Sequence, residues 1–335
     1  MPAEHPKGLP PGADPRGANI FDGTFPLPTA VLDDAALRHN IATMARYCAD
    51  NSVLLAPHGK TTMCPPLIQR QLDHGAWAVT AATAWQAGMM ASFGVPRVLI
   101  ANEVVDAGST ALLDRLLADR PDLELYCYAD SAAALDALLG GIAPSRRARL
   151  RLLVELGIAG GRTGLRDDRE ALDLARRIAT GPATLAGVAA FEGIIDEPVL
   201  ATGLARVDAF LRRVADLCLA IDAAGLAGAD PIATIGGSAY FDRVVRLLPD
   251  ALAGTAFRTV LRSGCYVTHD AGSYQLLSPS VPAGGSGHGC ARRCTCGRPC
   301  CPGPSQGSPS AASAGGTPPR TPAFRCHSSS ARVPA

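Results

Sequence analysis

A lysine stands shortly after the first long apolar run of the sequence. The run VLLAP, residues 53–57, is followed by His58, Gly59 and Lys60. At the end of a buried strand, burial and neighbouring cations lower the pKa of a lysine and favour its uncharged form, which can form an imine with a carbonyl compound. We therefore predict that the surrounding walls desolvate Lys60 and make it nucleophilic. The alternative is an ordinary helix start after a strand.

Two glycine-containing loops near residues 236 and 264 could bind an anion. Gly236, Gly237 and Ser238 follow one apolar run, and Gly264 with Cys265 follows the next. Consecutive backbone N–H groups in such loops and at a helix start bind phosphate; the alternative is that the glycines only make tight turns. A phosphate site combined with an imine-forming lysine predicts pyridoxal phosphate, which is an electron sink for carbanions at the α-carbon of an amino acid.

The elements that must position these residues follow a regular rhythm. Short runs rich in valine, isoleucine and leucine alternate with segments of helical spacing, which is typical of parallel strands joined by helices. The eight runs span residues 53–57, 78–83, 98–105, 124–129, 149–156, 184–193, 232–237 and 259–266. Eight such repeats predict an α/β fold of the closed (β/α)8, TIM-type barrel class. An open doubly wound sheet is the alternative, but the first βα turn lacks a dinucleotide-binding fingerprint.

Polar side chains recur where the predicted strands end. Glu103 lies near the end of the third run, Arg162 follows the fifth, and Glu192 lies near the end of the sixth. Barrel enzymes carry their chemistry at the carboxyl ends of the strands. We therefore expect these side chains at the same end of the barrel as Lys60.

The composition is that of a globular protein. Hydrophobic residues make up 47% of the 335-residue chain, which is enough for a sizeable core. No stretch of about 20 uncharged apolar residues is present, and residues 1–28 lack the basic start and apolar block of a signal peptide. We expect a cytoplasmic protein with an N-terminal extension over residues 1–28, no membrane segment and no nucleic-acid partner.

Several segments, in order around the predicted barrel, resemble one family of enzymes. They are PHGKTTMCPPLIQRQLDHGAWAVTAATAWQA, VLIANEVVD, LLVELGIAGGRTG, IGGSAYF and LRSGCYVTHDAGSY. These segments look like the barrel domain shared by D-threonine aldolase, D-serine dehydratase and related D-amino-acid deaminases, which are distant relatives of alanine racemase. The resemblance runs from about Thr29 to Tyr274. It assigns residues 29–280 to an alanine racemase-like barrel that binds pyridoxal 5′-phosphate.

The resemblance implies a role for each candidate site residue. Lys60 would be the Schiff-base lysine, and Arg162 would lie beside the phenolic oxygen of the cofactor. Arg262 and Tyr266 are the two candidates for the side of the ring nitrogen. The phosphate would be held by Gly236, Gly237, Ser238, Gly264 and Cys265.

Several positions depart from the pattern of the family. Ala56 precedes the Pro-His-Gly-Lys segment where many relatives have arginine, and residues 62–63 are Thr-Met where relatives have His-Lys, which points towards the deaminases. Ile194 stands where some relatives carry a histidine, so no acid or base is carried over to that position. His58 and His269 remain as polar groups in the pocket, where each either satisfies a loop backbone or transfers a proton.

The resemblance ends at the C-terminal part of the chain. Family members continue into a second, β-rich domain, which in the aldolases and dehydratases supplies a histidine and another ligand to zinc or manganese. Residues 281–335 match neither that domain nor its metal ligands, and they contain no acidic residue. We interpret them as an aberrant or disordered tail that arises from out-of-frame coding sequence. The alternatives are a disordered interaction tail, and a zinc site formed by His288, Cys290, Cys294, Cys296 and Cys300.

The expected function follows from the resemblance. The chain would be a pyridoxal-phosphate-dependent lyase that acts on a small D-amino acid, as a deaminase of the D-serine type or an aldolase of the D-threonine type. Loss of the second domain would remove the metal and with it the activity. The alternatives are a single barrel that carries pyridoxal phosphate without turnover, and an amino-acid racemase. Because relatives of this fold often form dimers, a homodimer is expected.

Overall fold

The computed structural model describes residues 16–195 and 201–269, residue 279 and the backbone of residues 294–297. The chain divides into two compact units, which are Met1–Asp34 with Arg293–Ala335, and Ala35–Arg292. In the first unit, strand β1 (Thr29–Leu32) pairs antiparallel with a strand at Cys294–Gly297, numbered β10. The predicted tail therefore contains one strand, since this pairing needs only backbone hydrogen bonds. The remainder of the tail, including His288 of the zinc-site interpretation, lies outside the described residues.

Eight parallel strands, β2 to β9, form one sheet in the second unit. Each overlaps one of the eight predicted apolar runs, so the predicted alternation of strands and helices is confirmed. The strands are β2 Leu54–Leu55, β3 Val79–Ala81, β4 Arg97–Glu103, β5 Glu124–Ala129, β6 Leu150–Leu156, β7 Thr184–Ala190, β8 Ile232–Thr234 and β9 Arg258–Leu261.

The sheet closes into a ring. Its strands follow the order β2-β9-β8-β7-β6-β5-β4-β3, which leaves β2 and β3 at its two ends. A parallel bridge joins His58 to Thr80 across these ends. The backbone N–H of Trp77 also donates to the carbonyl of Leu55 (2.7 Å), and that of Thr80 donates to the carbonyl of Pro57 (2.9 Å). The predicted (β/α)8 barrel is thus confirmed.

Eight α-helices are found in the described part of the chain, and most of them connect consecutive strands. They are α1 Asp34–Asp50, α2 Pro65–Asp73, α3 Ala84–Ser92, α4 Ala107–Asp119, α5 Ala132–Gly140, α6 Asp168–Ala179, α7 Ala201–Ala223 and α8 Phe241–Ala251. Helix α2 begins with two prolines, which lack the N–H that a first turn leaves unpaired. Helix α6 is capped by Asp167, whose carboxylate accepts hydrogen bonds from the N–H groups of Arg169 and Glu170.

Alternation along the strands separates two hydrophobic cores. One lies between the sheet and the helices; the other fills the interior of the barrel with Ala56, Ala78, Leu99, Tyr126, Tyr128, Leu153, Ala186, Ala189, Ile232 and Val260. Because successive side chains of a strand point to opposite faces, the inward positions continue in steps of two residues to the carboxyl ends. After β2, β4, β5, β6 and β9 those final inward positions are polar: His58, Glu103, Asp130, Glu155 and Arg262. They surround the carboxyl-terminal opening of the barrel, called the mouth below.

No helix in the described segments combines the length and the apolar character that a membrane crossing requires.

Candidate functional site

Lys60 lies at the mouth, but its side chain is not desolvated. It occupies the middle of the short 3-10 turn Gly59–Thr61 that follows β2, and it is exposed. The prediction that surrounding walls remove water from this amine is therefore wrong. The reason is that β2 ends at Leu55, so the turn carries the lysine beyond the sheet. In this position the amine is accessible to a ligand that enters the mouth.

His58 is the partly buried neighbour of this lysine. Its Nδ1 atom is buried and has no hydrogen-bond partner among the described residues. Burial first, and then the positive charges of Lys60 and Arg262, lower the pKa of His58 from 6.5 to about 3. The imidazole is therefore neutral near physiological pH and is a weak base. This environment suits a hydrogen-bonding role better than proton abstraction.

Arg262 holds a positive charge in the barrel interior below the mouth. Its side chain is buried; one terminal nitrogen donates to Oγ1 of Thr234 (2.8 Å), and the other donates to the carbonyl of Ala190 (2.6 Å). Because Lys60 and Arg262 both lower the pKa of His58, all three lie within electrostatic range of one another. The mouth is thus positively charged on the side of β2 and β9.

Tyr266 does not reach the barrel interior. Its hydroxyl accepts a hydrogen bond from Nε2 of Gln71 on α2 (2.8 Å), and its ring belongs to the core between the sheet and the helices. It also lines a cavity of about 250 Å³ beside α1, β2 and α2. Of the two candidates for the ring nitrogen, only Arg262 is therefore brought to the interior. His269, also buried, closes the turn after β9 through its N–H, which donates to the carbonyl of Cys265 (2.9 Å).

The two predicted anion-binding loops lie side by side. The hydroxyl of Ser263 donates to the carbonyl of Gly237 (2.6 Å), and the backbone N–H of Arg262 donates to the carbonyl of Gly236 (2.9 Å). These bonds engage the carbonyl groups of the loop after β8. The N–H groups of the same loop take no part in these bonds.

Three backbone donors of these loops have no hydrogen-bond partner in the part of the chain that the structure describes. The N–H groups of Ser238, Gly264 and Cys265 form no hydrogen bond within the described ranges. A Cβ atom on Gly264 would lie 2.5 Å from the carbonyl oxygen of His58, so only glycine allows the two segments to approach this closely. The loops can therefore offer three N–H donors to an anion such as a phosphate group.

The other two predicted donors are already bound to a side chain of the protein. The two carboxylate oxygens of Glu192 accept hydrogen bonds from the N–H groups of Gly236 (3.1 Å) and Gly237 (2.7 Å). Glu192 is 0% exposed, and the described residues include no ion pair to it. Gly236 has a φ of 103°, in the region that favours glycine. The sequence identified these two glycines as an anion site but did not identify their occupant.

Arg162 lies at the mouth as predicted by its position after β6. Its side chain is exposed, and the guanidinium carbon lies 4.9 Å from the centre of the Phe191 ring. It also interacts electrostatically with the buried Tyr128 of β5. An exposed guanidinium held over an aromatic face is available to an anionic ligand group.

Three carboxylates meet at the ends of β4, β5 and β6, across the ring of strands from β8 and β9. Oxygen atoms of Glu103, Asp130 and Glu155 all lie within 4.8 Å of one another, the one such set of three possible metal ligands among the described residues. Carboxylate oxygens suit hard divalent cations. Burial, then hydrogen bonding to Glu155 and its charge, raise the pKa of Glu103 from 4.5 to about 8. Without a cation, Glu103 therefore keeps its proton near neutral pH.

Tyr128 lies between the donor side and the acidic side, and the sequence reading did not single it out. It is 3% exposed, and its hydroxyl has no hydrogen-bond partner in the described structure. Burial raises the pKa of this hydroxyl, and Arg262, Glu155 and Glu103 all act on it electrostatically. Leaving a buried hydroxyl unpaired costs free energy, so this position suits a hydrogen bond from a ligand.

Comparison with known proteins gives one curated relative and several similar structures. No family model matches the sequence. A D-threonine aldolase from Arthrobacter sp is 30% identical over 188 residues, which cover 56% of this chain and 48% of the relative. The match therefore spans about half the length of that protein.

Two similar structures are 25% identical to this chain. The structure of D-threonine aldolase from Filomicrobium marinum has a TM-score of 0.63 and is matched over 78% of this chain and 66% of its own length. The structure of D-threo-3-hydroxyaspartate dehydratase from Delftia sp. HT23 has a TM-score of 0.59, with 78% of this chain and 64% of the dehydratase covered.

An alanine racemase from Streptomyces lavendulae shares the fold alone, with a TM-score of 0.54 and 21% identity over 75% of this chain and 61% of the racemase. These similarities agree with the motifs found in the sequence. They confirm that this chain has an alanine racemase-like barrel and resembles the group of D-threonine aldolase and the D-amino-acid dehydratases.

Proposed function

We propose that the mouth binds pyridoxal 5′-phosphate and that the chain acts as a lyase on a D-amino acid. The observation that carries this proposal is the meeting of an exposed lysine, Lys60, with two linked loops that contain three N–H groups without a hydrogen-bond partner among the described residues. An amine and an anion site in one opening match the aldehyde and the phosphate of this cofactor. The similarity to a D-threonine aldolase and a D-threo-3-hydroxyaspartate dehydratase supports the substrate class.

The residues at the mouth fit the cofactor. The N–H groups of Ser238, Gly264 and Cys265 would hold the phosphate, and the amine of Lys60 would bind the aldehyde. Arg162 would neutralise the phenolic oxygen. The hydroxyl of Tyr128, which has no partner among the described residues, offers a hydrogen bond below the mouth. When bound, pyridoxal phosphate supplies an electron sink for negative charge at the α-carbon of an amino acid.

The protonation states at the mouth divide the roles of its side chains. His58 is neutral with a pKa of about 3, so it is poorly suited to remove an α-proton. Lys60, which is accessible, is the better candidate to move that proton. Glu103, whose pKa is about 8, holds a proton on the opposite side and can donate it in a hydrogen bond.

The cofactor site can be tested with borohydride because the chain contains only two lysines, Lys7 and Lys60. The purified full chain is mixed with pyridoxal phosphate, reduced and digested, and the labelled peptide is located by mass spectrometry. We expect label on Lys60 in the wild type and in the control Lys7→Ala, and none in Lys60→Ala. Equal labelling of Lys60→Ala and wild type would refute the cofactor assignment.

Turnover is tested separately from binding. D-Serine would give pyruvate and ammonia by elimination, whereas D-threonine would give glycine and acetaldehyde by cleavage of the Cα–Cβ bond. Each substrate is assayed with and without added zinc or manganese, since a divalent ion can polarise a hydroxyl group. Labelling of Lys60 without any product would favour a pyridoxal phosphate carrier, and conversion of D-alanine to L-alanine would favour a racemase.

A further inference from the structure

We infer that Glu192 is an internal competitor for phosphate at the loop after β8. Its carboxylate occupies the N–H groups of Gly236 and Gly237, so the affinity of the mouth for a phosphate group depends on whether this side chain is in place. The identity of the natural ligand rests on the proposed function. The competition itself concerns any phosphate that binds this loop.

The geometry is that of a bound anion. Both oxygens of Glu192 are used, one for each of two consecutive N–H groups, at 3.1 and 2.7 Å. Two oxygens of a phosphate would bind such a pair of N–H groups in the same way. A Cβ atom on Gly237 would lie 2.8 Å from the ring of Phe191, so there is no room for a side chain at position 237.

The energetics favour competition over simple support of the loop. Each N–H group makes one strong hydrogen bond, so Gly236 and Gly237 cannot serve Glu192 and a phosphate at once. A buried carboxylate beside this loop also repels a second anion, because charge interactions are strong where water is excluded. Both effects weaken phosphate binding. Removal of the carboxylate should therefore strengthen it.

The carbonyl side of the loop is held independently of Glu192. Ser263 and the backbone of Arg262 fix the carbonyl groups of Gly237 and Gly236 from the other strand. The loop therefore retains bonds that keep its shape when the carboxylate is lost. Its two free N–H groups would then join those of Ser238, Gly264 and Cys265.

Glu192→Gln and Glu192→Ala test this inference with two probes, inorganic phosphate by calorimetry and pyridoxal phosphate by absorbance. We expect both variants to bind each probe at least about tenfold more tightly than wild type, which corresponds to one hydrogen bond to a charged group. Asp167→Asn is the matched control. It removes a carboxylate that also accepts from two backbone N–H groups, but at the start of α6 away from the loop. Its affinities should equal those of wild type.

The inference would be overturned if the folded Glu192 variants bound phosphate no more tightly than wild type does. It would also be overturned if neither variant bound phosphate. If the variants do not fold, amide NMR spectra of the wild type with and without inorganic phosphate test the inference instead. Competition predicts that inorganic phosphate shifts the Gly236 and Gly237 amide signals, and unchanged signals at saturation would contradict it. Tighter phosphate binding without any label on Lys60 would keep this inference and reject the proposed cofactor.

Discussion

The two halves of the mouth have opposite chemistry. Around β2, β8 and β9 the mouth presents positive charge and hydrogen-bond donors, from Lys60, Arg262 and the N–H groups of the glycine loops. Around β4, β5 and β6 it presents the acceptors Glu103 and Glu155, together with Asp130. Such a distribution creates a field across the opening and orients a ligand that carries both signs of charge. A phosphate would therefore bind at the first half, and an ammonium group or a proton would be held at the second.

Two carboxylates show how much the two halves differ. Glu192, on the donor side, has a backbone N–H for each of its oxygens. Glu103, on the acidic side, has an oxygen that is buried without a hydrogen-bond partner in the described residues, and its pKa is about 8. The two halves therefore differ in the hydrogen-bond donors that they offer to a carboxyl group.

The largest effect is expected on the donor side, from Gly264→Ala. The new Cβ would lie 2.5 Å from the carbonyl oxygen of His58, and neither backbone can move without breaking the approach of β9 to β2. We expect the free energy of unfolding to fall by about 3 kcal/mol and phosphate binding to be lost. Urea titration and calorimetry measure the two effects.

Gly140→Ala is the control for this substitution. Gly140 ends α5, and a Cβ atom there would meet no atom within 4 Å. Its stability should equal that of wild type or rise by up to about 1 kcal/mol. If Gly264→Ala behaves like this control, the close approach at the donor side does not exist.

On the acidic side, Glu103→Gln should change how stability depends on pH. In the folded chain the pKa of Glu103 is about 8, above its ordinary 4.5, so the native state keeps a proton that the unfolded state releases. Stability therefore falls as pH rises from about 4.5 to 8. Glutamine does not ionise, so the variant should not lose stability in this pH range. We expect its melting temperature to exceed that of wild type by about 2–4 °C at pH 8.5 and to differ little at pH 4.

Thermal unfolding monitored by circular dichroism across this pH range checks the expectation. Glu170→Gln, on the exposed first turn of α6, is the control for loss of one surface charge. A gain that is equal at pH 4 and pH 8.5 would show that Glu103 does not titrate differently in the folded state.

The smallest effect is expected between the halves, from Tyr128→Phe. Its hydroxyl is buried without a partner in the described part of the chain, so its removal should leave stability unchanged or raise it by up to about 1 kcal/mol. Tyr126→Phe is the matched control two residues earlier, because its hydroxyl donates to Glu124 at 3.3 Å. That variant should lose about 0.5–1.5 kcal/mol. Chemical denaturation of both variants tests the pair, and a larger loss for Tyr128→Phe would mean that its hydroxyl is bound.

Local sequence patterns were sufficient to predict the barrel. Eight apolar runs, each bounded by turn residues, were placed correctly because a strand buried on both faces must be apolar throughout. The lengths were less predictable: the first run covers residues 53–57, whereas β2 spans only Leu54–Leu55. A strand ends where its hydrogen bonds to the neighbouring strand end. The sequence of one apolar run does not contain this information.

The candidate site was predictable in its location but not in its contacts. The polar strand ends are evident from the sequence, yet the hydrogen bond from the N–H of Gly236 to Glu192 joins residues 44 positions apart. Lys60 was expected to be buried because its strand is, but the turn after the strand exposes it. The acidic group could have been found, since Glu103 and Glu155 share the inward parity of Leu99 and Leu153. Tyr128 could not, because an aromatic residue inside a strand usually belongs to the core.

The ring of strands is closed by few hydrogen bonds where β2 meets β3. That seam has the single bridge between His58 and Thr80, with hydrogen bonds from the N–H groups of Trp77 and Thr80 and from the hydroxyl of Thr80, whereas β5 and β6 pair over five consecutive residues. Local opening needs the least free energy where the fewest bonds must break, so the amide protons of Trp77 and Thr80 should exchange with solvent before those of β6. The Lys60 turn leaves the sheet at this seam. The amine of Lys60 is therefore carried by a part of the barrel that opens more readily than the pairing of β5 with β6.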